Sequence, residues 1–250
     1  MSDWAATDDG ALAPEAVIRL IVNDRHAVRI NCTPHNLDEL AAGWLVCEGI
    51  VTCREDLLNI EPLEAEDAAS VSVRLGDTAL SRFRDLLDRA SGCVTFPPGP
   101  MLSDESVSAG RNEAGSGVRE LLEDRDRLAS LFGRMFDRAA LRDAVGGVHT
   151  GGMVCDGELV AVVEDVSRHH VVDRIVGNGW IANRPFSGAD LLLSSRISGA
   201  MAAKACRAGV AALVSRSIPT DLAAGIARSC GLILVGRAQR ESPSRFWPGT

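Results

Sequence analysis

The chain lacks any long apolar run. No stretch approaches the roughly 18 uninterrupted apolar residues that a membrane-spanning helix requires. The segment that starts at Met1 also lacks the basic region and the apolar region of a secretory signal. We therefore expect a cytoplasmic protein with no membrane partner.

Closely spaced cysteine pairs are missing as well. The seven cysteines are scattered, and no two of them have the C-x-x-C spacing of a zinc knuckle or a thioredoxin-type redox pair. An odd number of cysteines in such a chain does not indicate a disulfide scaffold. Cys47, Cys206 and Cys230 lie in apolar helical segments, so we expect them to be buried as small hydrophobic side chains.

Lysine is almost absent. Lys204 is the only lysine, arginine supplies nearly all of the basic charge, and the formal net charge is −8. The acidic total argues against nucleic acid or a membrane surface as a partner. Each arginine is nevertheless a forked donor that suits phosphate or carboxylate groups, so the composition is compatible with a local anion site.

The signature motifs of several enzyme classes are also missing. The sequence contains no G-x-S-x-G elbow, no P-loop and no G-x-G-x-x-G. These absences argue against an esterase, a nucleoside triphosphatase and a dinucleotide-dependent oxidoreductase.

The first part of the chain predicts a small α+β unit over residues 1–90. Two β-branched runs at 16–22 and 27–31 predict a hairpin. Asn36 and Glu39 have the spacing of a capping box at the start of a helix that should end near Gly49. Residues 70–75 then alternate as a half-buried strand does, and 78–90 have a helical pattern.

The last part predicts an α/β layered sheet over residues 118–250. One long helix over 118–145 suits either a dimer surface or packed core. After it, predicted strands and helices alternate, which is the β-α-β pattern of such sheets. The strands fall near 159–163, 191–194, 211–215 and 232–236, and the helices near 168–182, 198–208 and 220–229.

Residues 91–117 separate these two parts and predict a mobile loop that carries Cys93. The segment is rich in glycine, serine and proline, and a loop of this length in a compact domain is usually functional or disordered. A sulfur carrier needs an accessible thiolate, because the thiolate is the nucleophile. Cys93 meets that need, although an incidental surface cysteine would have the same surroundings.

Polar segments follow the predicted strands, where α/β sheets usually bind ligands. Residues 164–170 follow one strand and open a helix, so that Arg168 and His169 favour an anion there. Residues 194–198, 217–220 and 237–242 occupy similar positions. Helix caps, a turn or solvated surface are the alternatives for these segments, and for residues 164–170 the anion site is favoured over a capped helix. His149 raises the question of a metal, but no zinc spacing is present and we expect none.

Taken in order, these segments resemble the FdhD family of formate dehydrogenase accessory sulfurtransferases. The resemblance runs from about Val22 to Arg240 and depends on the whole set, since each piece alone is common. Its pieces are Thr33-Pro34 with Glu39-Leu40-Ala41 and Glu48-Gly49-Ile50, Ser91-Gly92-Cys93, Gly146-Gly147-Val148-His149, the run from Glu164 to Arg174, and the closing Gly-Leu-x-Leu-Val-Gly that ends at Gly236.

The resemblance implies a function and a set of partners. Members of the family take persulfide sulfur from a cysteine desulfurase and pass it to the bis-molybdopterin guanine dinucleotide cofactor of formate dehydrogenase. The family's larger domain has a cytidine-deaminase-like α/β fold without catalytic zinc, and the protein is usually a homodimer. By this resemblance Cys93 would carry the persulfide. The cofactor would contact Arg237, Ala238, Gln239, Arg240, Glu241, Ser242, Asp165, Arg168, His169, Ser194 and Arg196.

Several positions depart from the family pattern. Phe96 stands where a second cysteine is common, and Arg237 stands where the closing motif usually has phenylalanine. Larger side chains also replace motif glycines, for example at Ser167 and Ser195, and would crowd a pocket lined by backbone. The departures leave a second hypothesis, a non-catalytic cofactor chaperone or regulator of formate dehydrogenase assembly. A zinc deaminase-like hydrolase is disfavoured, because H-x-E and P-C-x-x-C are missing.

Overall fold

The N-terminal half forms a four-stranded mixed sheet with two helices. The computed structural model describes residues 6–7, 10–63, 69–89, 120–121, 123–184, 186–241 and 243–246. Strands β1 and β2 form a small separate pair, and the larger sheet has the order β4-β3-β6-β5. The elements are β1 (Ala6–Thr7), β2 (Gly10–Ala11), β3 (Ala16–Val22), β4 (His26–Cys32), helix α1 (Leu37–Cys47), a 3-10 turn (Arg54–Asp56), β5 (Leu57–Leu63), β6 (Ser70–Leu75) and helix α2 (Asp77–Arg89).

The predicted hairpin of β3 and β4 is confirmed. Asn23 and Asp24 in its turn have φ of 48° and 58°, the left-handed conformation that a tight hairpin of this kind needs. The amide of Asn23 also pairs with the end of β6: its Oδ1 accepts from the Leu75 N–H at 2.8 Å, and its Nδ2 donates to the Leu75 carbonyl at 3.1 Å. The side chain of Asn23 therefore joins the β3–β4 turn to the end of strand β6.

Helix α1 occurs where it was predicted, but the predicted capping box is wrong. Asn36 is left-handed, with φ of 40°, and its side chain makes no capping hydrogen bond. The segment that precedes the helix is held by a residue distant in sequence instead. The buried guanidinium of Arg174 donates to the backbone carbonyls of Thr33, His35 and Asn36. Sequence spacing could not reveal a partner that lies more than a hundred residues away.

The single long helix predicted over residues 118–145 is also wrong, because the structure divides this region into α3 (Arg125–Asp137) and α4 (Ala140–Val145). Glu164 provides the physical reason. Its carboxylate accepts from the backbone N–H groups of Leu141 and Arg142, each at 2.8 Å, and so caps a second helix start.

The C-terminal half forms a six-stranded sheet in the order β12-β11-β10-β9-β7-β8. Strands β9, β10 and β11 are parallel to one another, and the other neighbours are antiparallel. The predicted α/β class is confirmed at the level of a mixed α/β protein with two mixed sheets; the cytidine-deaminase-like description stays a prediction. The elements are β7 (His149–Cys155), β8 (Glu158–Asp165), α5 (Arg168–Ile181), β9 (Asp190–Leu193), α6 (Gly199–Ala208), β10 (Ala212–Ser215), α7 (Asp221–Cys230), β11 (Ile233–Gly236) and β12 (Ser244–Phe246).

Strand β7 was not predicted, because Gly151 and Gly152 interrupt its hydrophobic pattern. Both glycines are required by close packing on opposite faces of the sheet. A Cβ at Gly151 would overlap Val171 of α5, and a Cβ at Gly152 would press on Met135 of α3. Helices α5 and α3 therefore cover opposite faces of the six-stranded sheet.

One hydrophobic core joins the two halves of the chain. It contains side chains of β3, β4, β6 and α1 together with those of α5, α6, β9 and β11. Inside it Lys204 bonds to Asp173 and Glu48, each at 2.8 Å; Lys204 and Asp173 are buried, and the side chain of Glu48 is 6% exposed. The domain limits predicted at residues 90 and 118 stay predictions, and the predicted loop 91–117 with Cys93 lies outside the described residues.

The burial predicted for three cysteines is confirmed for one of them and wrong for the other two. Cys47 is buried, as expected. The prediction that Cys206 and Cys230 are buried small hydrophobic side chains is wrong, because they are half-buried and joined by a disulfide across a Cα–Cα distance of 6.1 Å. They lie in the neighbouring helices α6 and α7, and spacing along the chain carries no information about that proximity. Within the described part of the chain, no helix is long and apolar enough to cross a membrane.

Candidate functional site

The predicted polar segments lie along one edge of the six-stranded sheet. This edge contains the carboxyl ends of β8, β9, β10 and β11 and the amino end of β7. At a spacing of about 4.8 Å between strands, the distance from β8 to β11 is about 19 Å. The edge is therefore long enough for an extended ligand such as a nucleotide.

An arginine-rich cleft occupies the β9–β11 end of this edge. Its volume is about 430 Å³, and it is lined by Ser194, Arg216, Ser217, Ile218, Arg237 and Arg240. A second hollow of about 560 Å³ shares Arg237 and Arg240 and adds Arg125, Gln239 and Glu241. We call the first of these the arginine cleft. Guanidinium groups donate two parallel hydrogen bonds to phosphate or carboxylate, so the arginine cleft is suited to an anion that carries several oxygens.

The backbone that carries Arg237 is firmly held. Arg237 is left-handed, with φ of 52°, and its N–H donates to the Ser217 carbonyl at 2.6 Å. The N–H of Ala238 donates to the Ser215 carbonyl at 2.9 Å. These hydrogen bonds attach the turn after β11 to the turn after β10. As a result Arg237, which follows β11, and Arg216, which follows β10, line the same cleft.

The predicted binding segment 237–242 divides into parts. Arg237, Gln239, Arg240 and Glu241 are exposed and line the two hollows. Ala238 is buried in the apolar cluster on the α3 face of the sheet, so its side chain supports the turn. Ser242 lies outside the described residues.

Arg216 also belongs to the arginine cleft, although it was not predicted from the sequence. Arg216 follows β10 directly, as Arg237 follows β11, and this equivalent position was the available signal. Its guanidinium lies 5.0 Å from the centre of the Phe136 ring, and Arg142 lies 4.5 Å from the same ring. Phe136 belongs to α3, and nothing in the sequence indicated that it would orient an arginine of the cleft by a cation–π contact.

Ser194 connects the arginine cleft to strand β7. Its Oγ accepts from the Thr150 N–H at 2.9 Å, and its N–H donates to the Thr150 carbonyl at 3.0 Å. The hydroxyl of Thr150 is fully buried and has no hydrogen-bond partner within the described part of the chain. A buried hydroxyl without a partner is costly, so a buried water bonded to Thr150 would stabilise this part of the sheet.

Asp165 holds several segments together. Its Oδ2 accepts from Arg174 Nε at 2.8 Å and from the Thr33 N–H at 3.3 Å, and its Oδ1 accepts from the Ser167 N–H at 2.7 Å. Burial alone would raise the pKa of Asp165, but the neighbouring His170, whose Nδ1 lies 3.7 Å from Asp165 Oδ1, and the charge of Arg174 outweigh it and lower the pKa. Asp165 is fully buried, so a direct contact with a cofactor stays a prediction.

A second polar group forms where α5 and α6 begin. His169 Nε2 lies 3.0 Å from the hydroxyl of Ser198, which caps α6. Burial and the charge of Arg168 lower the pKa of His169 to about 4, and the same causes lower the pKa of His149. Both imidazoles are therefore neutral at pH 7.

The structure brings only some of the predicted site residues together. Ser194, Arg237 and Arg240 share the arginine cleft. Arg168 and His169 belong to α5, on the face opposite the α3 helix that carries Phe136, and Arg196 is exposed between β9 and α6. A single pocket that includes both groups stays a prediction. Within the described residues, no three His, Cys, Asp or Glu side chains are grouped to hold a metal, and the expected lack of one also stays a prediction.

The fold and the arginine cleft define a mixed α/β protein with an arginine-lined cleft at one edge of its six-stranded sheet. The model of the FdhD/NarQ family matches residues 13–246, and the chain belongs to that family. The predicted resemblance is thereby confirmed. This assignment covers both sheets and the whole polar edge.

Named relatives match over nearly the same length. A protein of Xanthomonas axonopodis pv. citri named sulfur carrier protein FdhD is 30% identical over 239 residues, which are 94% of this chain and 83% of that protein. A protein of the same name from Listeria monocytogenes serotype 4b is 26% identical over 228 residues, 91% of this chain and 86% of that protein.

A solved structure has the same fold. It is the crystal structure of a Desulfotalea psychrophila protein provisionally assigned as a formate dehydrogenase accessory protein. It superposes with a TM-score of 0.70 at 20% identity, and the match covers 98% of this chain and 94% of that one. At this identity the likeness supports the fold alone.

Proposed function

We propose that this protein is a sulfur carrier that serves formate dehydrogenase. It takes persulfide sulfur from a cysteine desulfurase on Cys93 and passes it to the bis-molybdopterin guanine dinucleotide cofactor. The observation that carries the proposal is the arginine cleft at the carboxyl edge of the sheet, in a chain of the FdhD/NarQ family. The relatives named sulfur carrier protein FdhD support the same role.

The residues of the arginine cleft fit the phosphate groups of such a cofactor. Arg216, Arg237 and Arg240 supply forked donors, and Ser194 and Ser217 supply hydroxyl groups at the ends of adjacent strands. Because the turns that carry these residues are bonded to each other, little ordering is needed when an anion binds. The cofactor would supply the metal chemistry, and the protein would bind and orient it.

The sulfur step follows thiol–disulfide exchange. The thiolate of Cys93 attacks the outer sulfur of the desulfurase persulfide, a new S–S bond forms, and the desulfurase cysteine leaves as a thiolate. No oxidant is consumed, since the sulfane sulfur only changes its partner. The loaded Cys93 persulfide is then the donor to the cofactor held at the sheet edge.

Intact-protein mass spectrometry tests the proposal directly. After incubation with a cysteine desulfurase and cysteine, we expect wild type to gain one sulfur atom that a reductant removes, and Cys93→Ala to gain none. Cys53→Ser is the matched control, because Cys53 is exposed and a hydrogen bond with Glu55 raises the pKa of its thiol, which disfavours the thiolate. A gain that persists in Cys93→Ala and is lost in Cys53→Ser would overturn the assignment of Cys93.

The second candidate function is a cofactor-binding chaperone or assembly regulator without sulfur transfer. It is favoured by the three arginines of the cleft, because cofactor binding by these guanidinium groups requires no sulfur chemistry. Calorimetry with guanosine diphosphate on the same variants separates the two functions. Binding by wild type and Cys93→Ala, combined with no sulfur gain in wild type, would select the chaperone.

We also propose that the protein is cytoplasmic, that it forms a homodimer, and that the larger part of the chain has a cytidine-deaminase-like fold.

A further inference from the structure

A second cationic pocket lies in the N-terminal half of the chain. It has a volume of about 340 Å³ and lies between the β3–β4 turn, strands β5 and β6, and helix α2. Its rim carries Arg25, Arg74 and Arg84 together with Asp24, and Leu58 lies among them. We call it the hairpin pocket, and the described residues that line it are all different from those that line the arginine cleft.

The position of Leu58 has a specific structural cause. In the pairing of β5 with β6, Leu57 is opposite Leu75 and Asn59 is opposite Arg74, so Leu58 is the extra residue of a β-bulge. Its side chain is 60% exposed. Bulges re-aim side chains and are over-represented beside functional sites, whereas an exposed leucine in a regular strand needs no explanation. Here the bulge places an apolar side chain inside a ring of cations.

The hairpin pocket carries a net positive charge, whereas the whole chain carries a net negative charge. The whole sequence has 34 acidic and 26 basic residues, but the hairpin pocket has three arginines and one aspartate. Asp24 lies 3.7 Å from Arg74, and both side chains are well exposed. Such an exposed pair is weak, and one carboxylate beside three guanidinium groups leaves the pocket cationic.

The floor of the pocket is preformed. The side chain of Asn23 makes two hydrogen bonds with the backbone of Leu75, and the Asn23 N–H donates to the Val73 carbonyl at 2.9 Å. The turn that carries Arg25 is therefore fixed to the strand that carries Arg74. A preformed site loses little conformational entropy when a partner binds.

We propose that the hairpin pocket binds an acidic segment of a partner protein, which inserts one apolar side chain against Leu58. Arginine around an apolar centre is the composition of binding hot spots, and the three guanidinium groups match carboxylates of the partner. A small free anion would use the arginines but not Leu58, which is why the observations favour a peptide. This proposal does not depend on the sulfur-carrier function.

Fluorescence anisotropy with a labelled peptide tests the proposal on the full chain. The probe is a short glutamate-rich peptide with a single central leucine. We expect the double variant Arg74→Ala/Arg84→Ala to bind it about tenfold more weakly than wild type does. We also expect binding to weaken when salt is raised from about 0.1 M to about 1 M, because screening shortens the range of the charge interactions.

Two matched double variants control for the loss of charge. Arg134→Ala/Arg228→Ala removes two exposed arginines on other surfaces, and Arg216→Ala/Arg240→Ala removes two from the arginine cleft. Both should bind the peptide as wild type does. An equal loss in the first would mean a non-specific charge effect, and a loss confined to the second would move the peptide to the arginine cleft; either result overturns the proposal.

A comparison of two peptides tests the role of Leu58 separately. Wild type should bind the peptide with leucine more tightly than the same peptide with serine in its place. Leu58→Ser should bind the two peptides equally, and folding should be unaffected because the side chain is exposed. If wild type shows no preference for leucine, or if it binds neither peptide at low salt, the hairpin pocket is not a site for such a segment.

Discussion

At the scale of single residues, the polar edge of the six-stranded sheet contains ionisable groups. Folding shifts their pKa values and so determines which of them are charged. Asp165 is held as a carboxylate by Arg174 and its other donors, while His169 is held neutral. His35, near the start of α1, is also held neutral, since burial and the charge of Arg174 lower its pKa to about 4. These opposite effects predict two separate windows of acid destabilisation.

We expect the free energy of unfolding to decrease as pH falls from about 6.5 to about 4. The unfolded chain takes up protons on His35 and His169 near the ordinary pKa of 6.5, whereas the folded protein does so only near pH 4. On these two histidines the native state therefore binds fewer protons in this window, so stability is lost on acidification. Asp190 acts in the opposite direction, because burial raises its folded pKa to about 7, but one such group does not outweigh the two histidines. The contribution of Asp165 is present above about pH 4 and is lost only below it, since its folded pKa is lowered.

Urea unfolding at a series of pH values measures this dependence. His169→Gln keeps a group that can hydrogen-bond to Ser198 but does not ionise, so it should reduce the slope between pH 6.5 and 4 by at least about half. Identical slopes for wild type and variant would show that His169 ionises in the folded protein as it does in the unfolded chain.

Site residues could be predicted from the sequence only where the local pattern placed them. Arg237 and Ser194 follow predicted strands, and the structure puts both in the arginine cleft. Thr150 and Phe136 gave no signal, because their relevance arises from contacts with strands and helices distant in sequence. The structural role of Asp165 could not be predicted either, since its partner Thr33 is 132 residues away.

At the scale of elements, the crossing of α1 and α5 depends on two glycines. A Cβ at Gly43 would overlap the carbonyl group of Asp173, and one at Gly177 would overlap that of Glu39. The two backbones are therefore in direct contact where the N-terminal half meets the C-terminal half. This contact also brings Asp173 of α5 and Glu48, which follows α1, to the same lysine.

We expect Gly43→Ala to destabilise the protein by at least about 3 kcal/mol, because the new methyl group meets rigid backbone and not a flexible side chain. Gly225→Ala is the matched control. Gly225 also lies in a helix, but a Cβ there has nothing within 4 Å, so the substitution should stabilise by about 0.5–1 kcal/mol through helix propensity.

Urea denaturation of both variants gives the comparison. If Gly43→Ala unfolds at the same urea concentration as wild type, α1 and α5 can separate without loss of stability, and the close crossing is not required.

The elements that local rules describe were predicted well, and the exceptions have long-range causes. The β3–β4 hairpin and the β-α-β alternation follow from turn residues and hydrophobic period. The break between α3 and α4 needs Glu164, and the glycines of β7 are explained only by the helices that pack on them. The disulfide between Cys206 and Cys230 likewise depends on which helices are neighbours.

At the scale of the whole molecule, the shared core implies that the two sheets lose their structure together. Lys204 of α6 lies at the junction, bonded to Asp173 of α5 and to Glu48 after α1. Burial alone would lower the pKa of Lys204, but the carboxylates of Asp173 and Glu48 outweigh it and raise the pKa. In the folded protein the amine is therefore both buried and protonated.

Lys204 consequently serves as a reporter of the junction without any substitution. It is the only lysine, so an amine-acylating reagent has one side-chain target, which peptide mapping identifies without ambiguity. We expect brief acylation in increasing urea to label Lys204 along the same curve as the loss of far-ultraviolet circular dichroism, because the amine becomes accessible only when the shared core opens. Labelling of Lys204 at urea concentrations where the dichroism is still native would mean that the two halves separate before either unfolds, and the chain would then behave as two domains joined by a weak interface.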